Sequence, residues 1–183
     1  HSLAGRKEDQ LHFARQRELS HRLGFMDTES KSAVELFMQH YYRHVMALSD
    51  VNDIVLQHFQ EDVTARKKPS LVRLNDRFRL INRRIDITEL DVFLRNPSAM
   101  LEMFFLMAQR EENIRVRVRT IRALREAVHL IDDDFRCDPE NCRLFLSILK
   151  SPYTVVTQLT LMRRYGVLGR YLPAFGDIVG QMQ

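Results

Sequence analysis

SAVELFMQHYYRHVMALSDVNDIVLQHFQE, residues 32–61, decides the fold class. Apolar or aromatic side chains recur at Val34, Phe37, Met38, Tyr41, Val45, Leu48, Val51, Val55 and Phe59. Their steps of three and four trace one face of a helix. No glycine or proline interrupts the run, and at the α-helical rise it would be about 45 Å long. A helix of that length needs other elements along its apolar face. The stretch therefore predicts a multi-helix protein that buries this face from end to end.

Upstream, residues 7–23 predict a first helix with Leu11, Phe13, Leu19 and Leu23 facing inward, ended by Gly24. Asp27 or Thr28 is placed to cap the long helix, with Glu29 in its first turn. Downstream the apolar face stops after Val63. ARKKPS, residues 65–70, is a charged linker closed by proline and marks a boundary or an exposed loop. FRLINRRIDIT, residues 78–88, is the one passage that reads as β structure. Phe78 and Leu80 oppose Ile85 and Ile87 across Asn82-Arg83-Arg84, which predicts a hairpin. An isolated hairpin is marginal, so this one must pack on helices.

Asn96-Pro97 is a helix start, with an N-cap followed by proline at the first helical position. MLEMFFLMA is apolar almost all round, so the helix over 97–109 should be the most buried segment. IRVRVRT, residues 114–120, alternates as a strand would. Ile114, Val118, Ile121, Leu124 and Val128 also keep helical spacing, and the stretch reads as the beginning of a helix through Leu130. Helices over 139–149 and 152–165 follow. Asp138 caps the first, Pro139 opens it, and Gly166 stops the second. Cys137 and Cys142 fall at the two positions of a hydrophobic staple around that cap. The fold class is mainly α: a multi-helix bundle with one long helix and a short β-hairpin. It divides as 1–68 and 69–183, or forms one continuous domain over 1–183.

The 183 residues suffice for a real core. Lys plus Arg number 28 against 24 Asp plus Glu, a net charge of +4 that does not demand a nucleic-acid partner. No apolar run is long enough to span a bilayer. The opening HSLAGRKEDQ is too polar for a secretory signal and lacks an initiator Met, as expected of a piece cut from a cytoplasmic protein. No disulfide framework or paired zinc spacing is present.

His40 and His44 stand one helical turn apart but are only two ligands and lack the Glu of an HExxH motif, and His129 with Asp132 and Asp133 reads as an acidic helix-to-turn junction without the second-shell support a catalytic metal needs. Arg110, Arg115, Arg117, Arg119, Arg122 and Arg125 form the densest charge run. They read either as a polyanion patch or as a solvated face paired with Glu111, Glu112 and Glu126. No aromatic side chains are interleaved, as a single-strand platform would need. No Walker loop, GxSxG motif or Ser/His/Asp arrangement occurs, so no catalytic residue is assigned.

The chain resembles the bifunctional PII uridylyltransferase and uridylyl-removing enzymes of bacterial nitrogen control. The resemblance lies in AGRKEDQLHFARQ (4–16), VELFMQHYYRH (34–44), RNPSAMLEMFFLMAQ (95–109), TIRALRE with HLIDDDF (120–135), and SPYTVVTQLTLMRRYGVLGRYLPAFGDIVGQMQ (151–183). It departs at Ala14, where relatives often carry Asp. The resemblance implies an enzyme that transfers UMP from UTP to the PII protein, with Mg²⁺, and removes it in response to glutamine. The chain would be its non-catalytic helical stretch between a nucleotidyltransferase domain and an HD domain, with no catalytic or metal-binding residue and no cofactor of its own. Residues 1–68 would pack on the upstream domain and 69–183 would lead to the HD domain. Arg6, Lys7, Asp9, Gln10 and Gln16 would border the nucleotide or form the docking surface. Partners would be those domains, PII and UTP, in the cytoplasm, without membrane or nucleic acid. The alternatives are a basic helical nucleic-acid-binding module and a free-standing helical adaptor.

Overall fold

The structure, a computed structural model, describes residues 12–29, 31–64, 69–111 and 114–178. It is mainly helical. The elements run α1 (Phe13–Arg22), α2 (Ala33–Thr64), β1 (Leu71–Arg73), β2 (Phe78–Ile81), β3 (Arg84–Ile87), α3 (Val92–Arg95), α4 (Ala99–Ala108), β4 (Arg115–Val116), α5 (Val118–Ala127), α6 (Asp133–Cys137), α7 (Pro139–Leu149), α8 (Val155–Arg164), α9 (Val167–Tyr171) and α10 (Pro173–Ile178). Two compact units divide inside α2, between Val51 and Asn52.

The first unit holds α1 and the beginning of α2. Gly24 ends α1 in the left-handed region at φ 82°, and its N–H donates to His21 O. Leu23, expected inside, is 60% exposed. A capping box opens α2. Glu35 Oε2 accepts from Ser32 N at 2.8 Å, and Ser32 Oγ accepts from Glu35 N at 3.3 Å. Asp27 Oδ1 takes a further helix donor, Ala33 N, at 2.7 Å, whereas the Thr28 hydroxyl closes the preceding turn on Lys31. Phe25 meets Phe37 edge-on at 5.7 Å, and Ala33, Phe37 and Met38 are buried.

The long helix is where it was expected, but its apolar face is not covered. From Tyr41 onward that face is open: Val45, Leu48, Val51, Val55 and Phe59 are all exposed, Leu48 by 70%. Spacing shows that a helix has an apolar side. It carries no information on whether the covering element lies within the same stretch of chain.

In the second unit a sheet of order β1-β2-β3-β4 lies against helices. The expected hairpin is β2–β3, with Phe78 opposite Ile87 and Leu80 opposite Ile85. Its two-residue turn, Asn82-Arg83, has φ of 50° and 61°, the left-handed pair that suits the twist of a tight hairpin. β1 extends it on one side. On the other side β4 runs parallel to β3, pairing Arg115 with Arg84 and Val116 with Ile85. IRVRVRT is thus divided: Arg115 and Val116 form β4, its last three residues open α5 at Val118, and Val128–Leu130 is a 3₁₀ turn. The alternation wins because β3 offers an open ladder and one face of the strand can be buried. Val116 is 1% exposed, and Arg117 N donates to Ile85 O at 3.0 Å.

α4 forms the centre of the core. Met100, Leu101, Met103, Phe104 and Met107 are fully buried, beneath α7 and α8. It starts at Ala99, two residues later than Pro97. Pro97 and Ser98 form a turn in which Ala99 N donates to Asn96 O. α8 likewise starts at Val155, after a turn over 152–154. α7 begins as expected: Asp138 Oδ1 accepts from Glu140 N and Asn141 N at 2.7 and 3.1 Å, with Pro139 in the first turn. Cys137 is exposed, so it does not serve as the apolar half of a staple. Gly169 in α9 and Gly176 in α10 touch backbone to backbone. A Cβ on Gly176 would stand 3.1 Å from Gly169 O. Among the described residues no helix is long and apolar enough to cross a membrane.

Candidate functional site

The outer face of the sheet carries a cluster of charge around Asp86. On β3 the side chains alternate, so Ile85 and Ile87 enter the core and Asp86 points to the opposite face. Asp86 is nevertheless fully buried, because side chains from three elements close over it. Arg79, its partner across the hairpin, gives Nε and Nη2 to Oδ2 at 3.0 and 2.9 Å. Arg117, just past β4, places Nη1 3.7 Å from the same oxygen. Arg119, in the first turn of α5, places Nε 3.0 Å from Oδ1, an ion-pair distance without hydrogen-bond alignment. Its Nη2 donates to Ile87 O at 2.9 Å. The Thr120 hydroxyl donates to Oδ1 at 3.3 Å. The three arginine side chains remain between 28% and 38% exposed.

A second ion pair lies elsewhere in this unit. Arg77 grips Glu102 through Nε and Nη2 at 2.7 and 2.8 Å, and Asn75 Nδ2 joins at 2.9 Å. The hydrogen bond to Glu102 raises the Arg77 pKa above its ordinary value. The pair borders a shallow hollow of about 220 Å³ that reaches Phe105, Glu140 and Arg143. Tyr171 packs on Phe145 with ring centroids 4.7 Å apart. Burial, then its contact with Cys142, pushes its hydroxyl up to about 12.

Of the residues expected to border a nucleotide or dock a domain, Arg6, Lys7, Asp9 and Gln10 lie outside the described residues. Gln16 lies on α1 and is buried, and its Oε1 has no hydrogen-bond partner. His40 and His44 stack at 4.2 Å on an exposed side of α2, with His44 Nδ1 against His40 O. Among the described residues no group of three or more His, Cys, Asp or Glu could hold a metal. Of the six arginines in the charge run, Arg117 and Arg119 go to Asp86, and Arg110, Arg115, Arg122 and Arg125 are exposed. The sequence reading missed Asp86 and Arg79. Their signal was present in the hairpin register, which sets them opposite each other.

Comparison with known proteins accounts for the whole chain. The family described as the uridylyltransferase GlnD third domain matches residues 78–171. The family described as GlnD PII-uridylyltransferase matches residues 1–56. A bifunctional uridylyltransferase/uridylyl-removing enzyme of Pseudomonas aeruginosa is 50% identical over 184 aligned residues, covering 100% of this chain and 20% of that protein. Its counterpart in Pseudomonas putida is also 50% identical with the same coverage. That of Azotobacter vinelandii is 47% identical over 188 aligned residues, again 100% of this chain and 20% of its own length. The chain thus spans about a fifth of the length of the curated relatives it matches. No solved structure matches it significantly.

Proposed function

The chain belongs to the uridylyltransferase GlnD third-domain family, and from that premise we propose that it is the non-catalytic helical stretch of a bifunctional uridylyltransferase/uridylyl-removing enzyme. The longer enzyme would use Mg²⁺ to transfer UMP from UTP to the PII protein in the cytoplasm, and would remove it again in response to glutamine. One observation carries this reading: identity runs over all of the chain but a fifth of its relatives, with one family ending at residue 56 and another beginning at 78.

In this reading residues 1–68 pack on an upstream nucleotidyltransferase domain and 69–183 lead to an HD domain. Arg6, Lys7, Asp9, Gln10 and Gln16 border the nucleotide or the docking surface. The open apolar face from Tyr41 to Val51 supports such docking, since it falls within the segment matched by the PII-uridylyltransferase family. The chain itself links and supports, and the chemistry belongs to its neighbours.

The test is an activity assay on the purified chain and on the longer enzyme. With UTP, PII and Mg²⁺ or Mn²⁺, the chain alone is expected to transfer no UMP and to release none from modified PII, because metal-assisted chemistry needs its metal ligands. The longer enzyme should do both. Turnover by the chain alone, or a longer enzyme with neither activity, sinks the proposal.

A further inference from the structure

We propose that Cys137 and Cys142, at the corner where α6 turns into α7, form a peroxide-responsive thiol pair that closes reversibly to a disulfide. The inference rests on the geometry of this corner alone and stands or falls independently of the enzyme assigned above.

The sequence has two cysteines, and the fold sets both at one corner. Cys137 ends α6 and Cys142 lies in the first turns of α7, with the Asp138 cap between them. A residue just before a cap and the fourth residue inside the helix face each other across the helix start. Cys142 Sγ donates to Arg136 O at 3.3 Å, the carbonyl of the peptide that joins Arg136 to Cys137. In a planar trans peptide that oxygen lies roughly 3 Å from the next Cα, so Cys142 Sγ stands no more than roughly 6 Å from Cys137 Cα. The Cys137 side chain is exposed, so rotation about its χ1 covers much of the gap that a disulfide must close. Tyr171 reports the same proximity. Burial first, then the hydrogen bond and charge of Cys142, and more weakly the charges of Asp138 and Cys137, push its hydroxyl up to about 12.

The two thiols differ in access. Cys137 is exposed and Cys142 half-buried, which makes Cys137 the thiol that meets the oxidant and Cys142 the one that resolves it. Cys137 sulphur attacks one oxygen of hydrogen peroxide, the O–O bond breaks, and a sulfenic acid and water result. Cys142 sulphur then attacks Cys137 sulphur. The S–S bond forms, the S–O bond breaks, and hydroxide leaves with the Cys142 proton as a second water. Two electrons pass from the pair of thiols to the peroxide. Once its proton is gone, Cys142 can no longer donate to Arg136 O. That change falls where this corner meets α9, since Tyr171 packs on Phe135 and Phe145, and Arg136 Nη1 donates to Arg170 O at 3.0 Å. In a reducing compartment thiol exchange reopens the bond, so the closed form is transient.

The experiment exposes the reduced 183-residue chain to hydrogen peroxide, blocks the remaining thiols by alkylation and maps the product by mass. Trypsin cuts after Arg136 and Arg143, so one peptide, residues 137–143, holds both cysteines. Both thiols should be lost together, with that peptide lighter by two hydrogens, and dithiothreitol should restore them. The reaction should run several-fold faster in the folded chain than in urea, because the fold brings the sulphurs together. In Cys142→Ser, Cys137 should go on to the sulfinic acid, which the wild-type chain avoids by closing the bond. In Cys137→Ser, the half-buried Cys142 should be oxidised several-fold more slowly. The folded and urea arms need no variant, so they decide the matter even if a serine lowers the melting temperature. The proposal is overturned if both thiols survive peroxide, if the product is a dimer linked between chains, or if closure is no faster folded than in urea. It is also overturned if Cys137 reaches the sulfinic acid as readily in the wild type as in Cys142→Ser.

Discussion

α4 and α2 are both apolar helices by spacing, and they end in opposite surroundings. In α4, Met100, Leu101, Met103, Phe104 and Met107 are closed off on every side by the rest of their unit. In α2, among the side chains described, the buried ones are Ala33, Phe37, Met38 and Gln39 near the start; Val34, Leu36, Met46 and Ile54 are partly covered, and Leu48, Val51 and Phe59 stand open. The difference lies in how the apolar residues are distributed. A helix apolar all round has only one stable place, the middle of its own domain. A helix with one apolar stripe requires cover, and that cover can come from anywhere in a longer polypeptide. α4 is covered by its own unit, and α2 leaves its stripe open.

Substitution can break or sharpen that contrast. The largest effect belongs to α4. Phe104→Ala should cost about 3–5 kcal/mol in a urea melt, since it removes a fully buried ring. A loss under about 1 kcal/mol would put α4 in the same class as α2, because changes that small are typical of surfaces. An intermediate effect is expected at the rim of the same core. Asp138→Ala strips the cap from α7, where Glu140 N and Asn141 N are held, and should cost about 1 kcal/mol. No change in the melt would mean that water satisfies those donors equally well. The smallest effect belongs to α2. Leu48→Glu in the 183-residue chain should alter stability by no more than about 0.5 kcal/mol, as at other exposed positions. The same change in the longer enzyme should lower the melting temperature clearly. Equal, negligible effects in both proteins would show that the stripe is never covered.

The elements legible from sequence were those with local punctuation. Asp138-Pro139 marked the start of α7, Gly24 and Gly166 ended their helices, and Phe78, Leu80, Ile85 and Ile87 marked the hairpin. Asn96-Pro97 misled by two residues because an intervening turn also uses an Asn-Pro pair. β4 was harder to see. Helical and strand periodicities coexisted in IRVRVRT, and the choice depended on an open ladder at β3, a strand nearly thirty residues earlier. The arginine cluster was legible only in halves. The charge run showed Arg117 and Arg119, the hairpin register paired Arg79 with Asp86, and nothing local joined the two halves.

The β3–β4 pairing has a consequence for the order in which this unit assembles. β4 contributes only Arg115 and Val116, and pairing it with β3 closes a loop on the order of 30 residues. Closing such a loop costs about 3 kcal/mol in chain entropy. A two-residue ladder with two such bonds leaves no clear surplus over that cost, at about 0.5–1.5 kcal/mol net for each hydrogen bond. The loop contains α4, so packing of the α4 core also holds the ends of that loop together. The hairpin can form early from neighbours in sequence, with Arg79 already beside Asp86. Arg117 and Arg119 reach that carboxylate only when the non-local contact is made. The full cluster around Asp86 therefore depends on the same non-local pairing that completes the sheet.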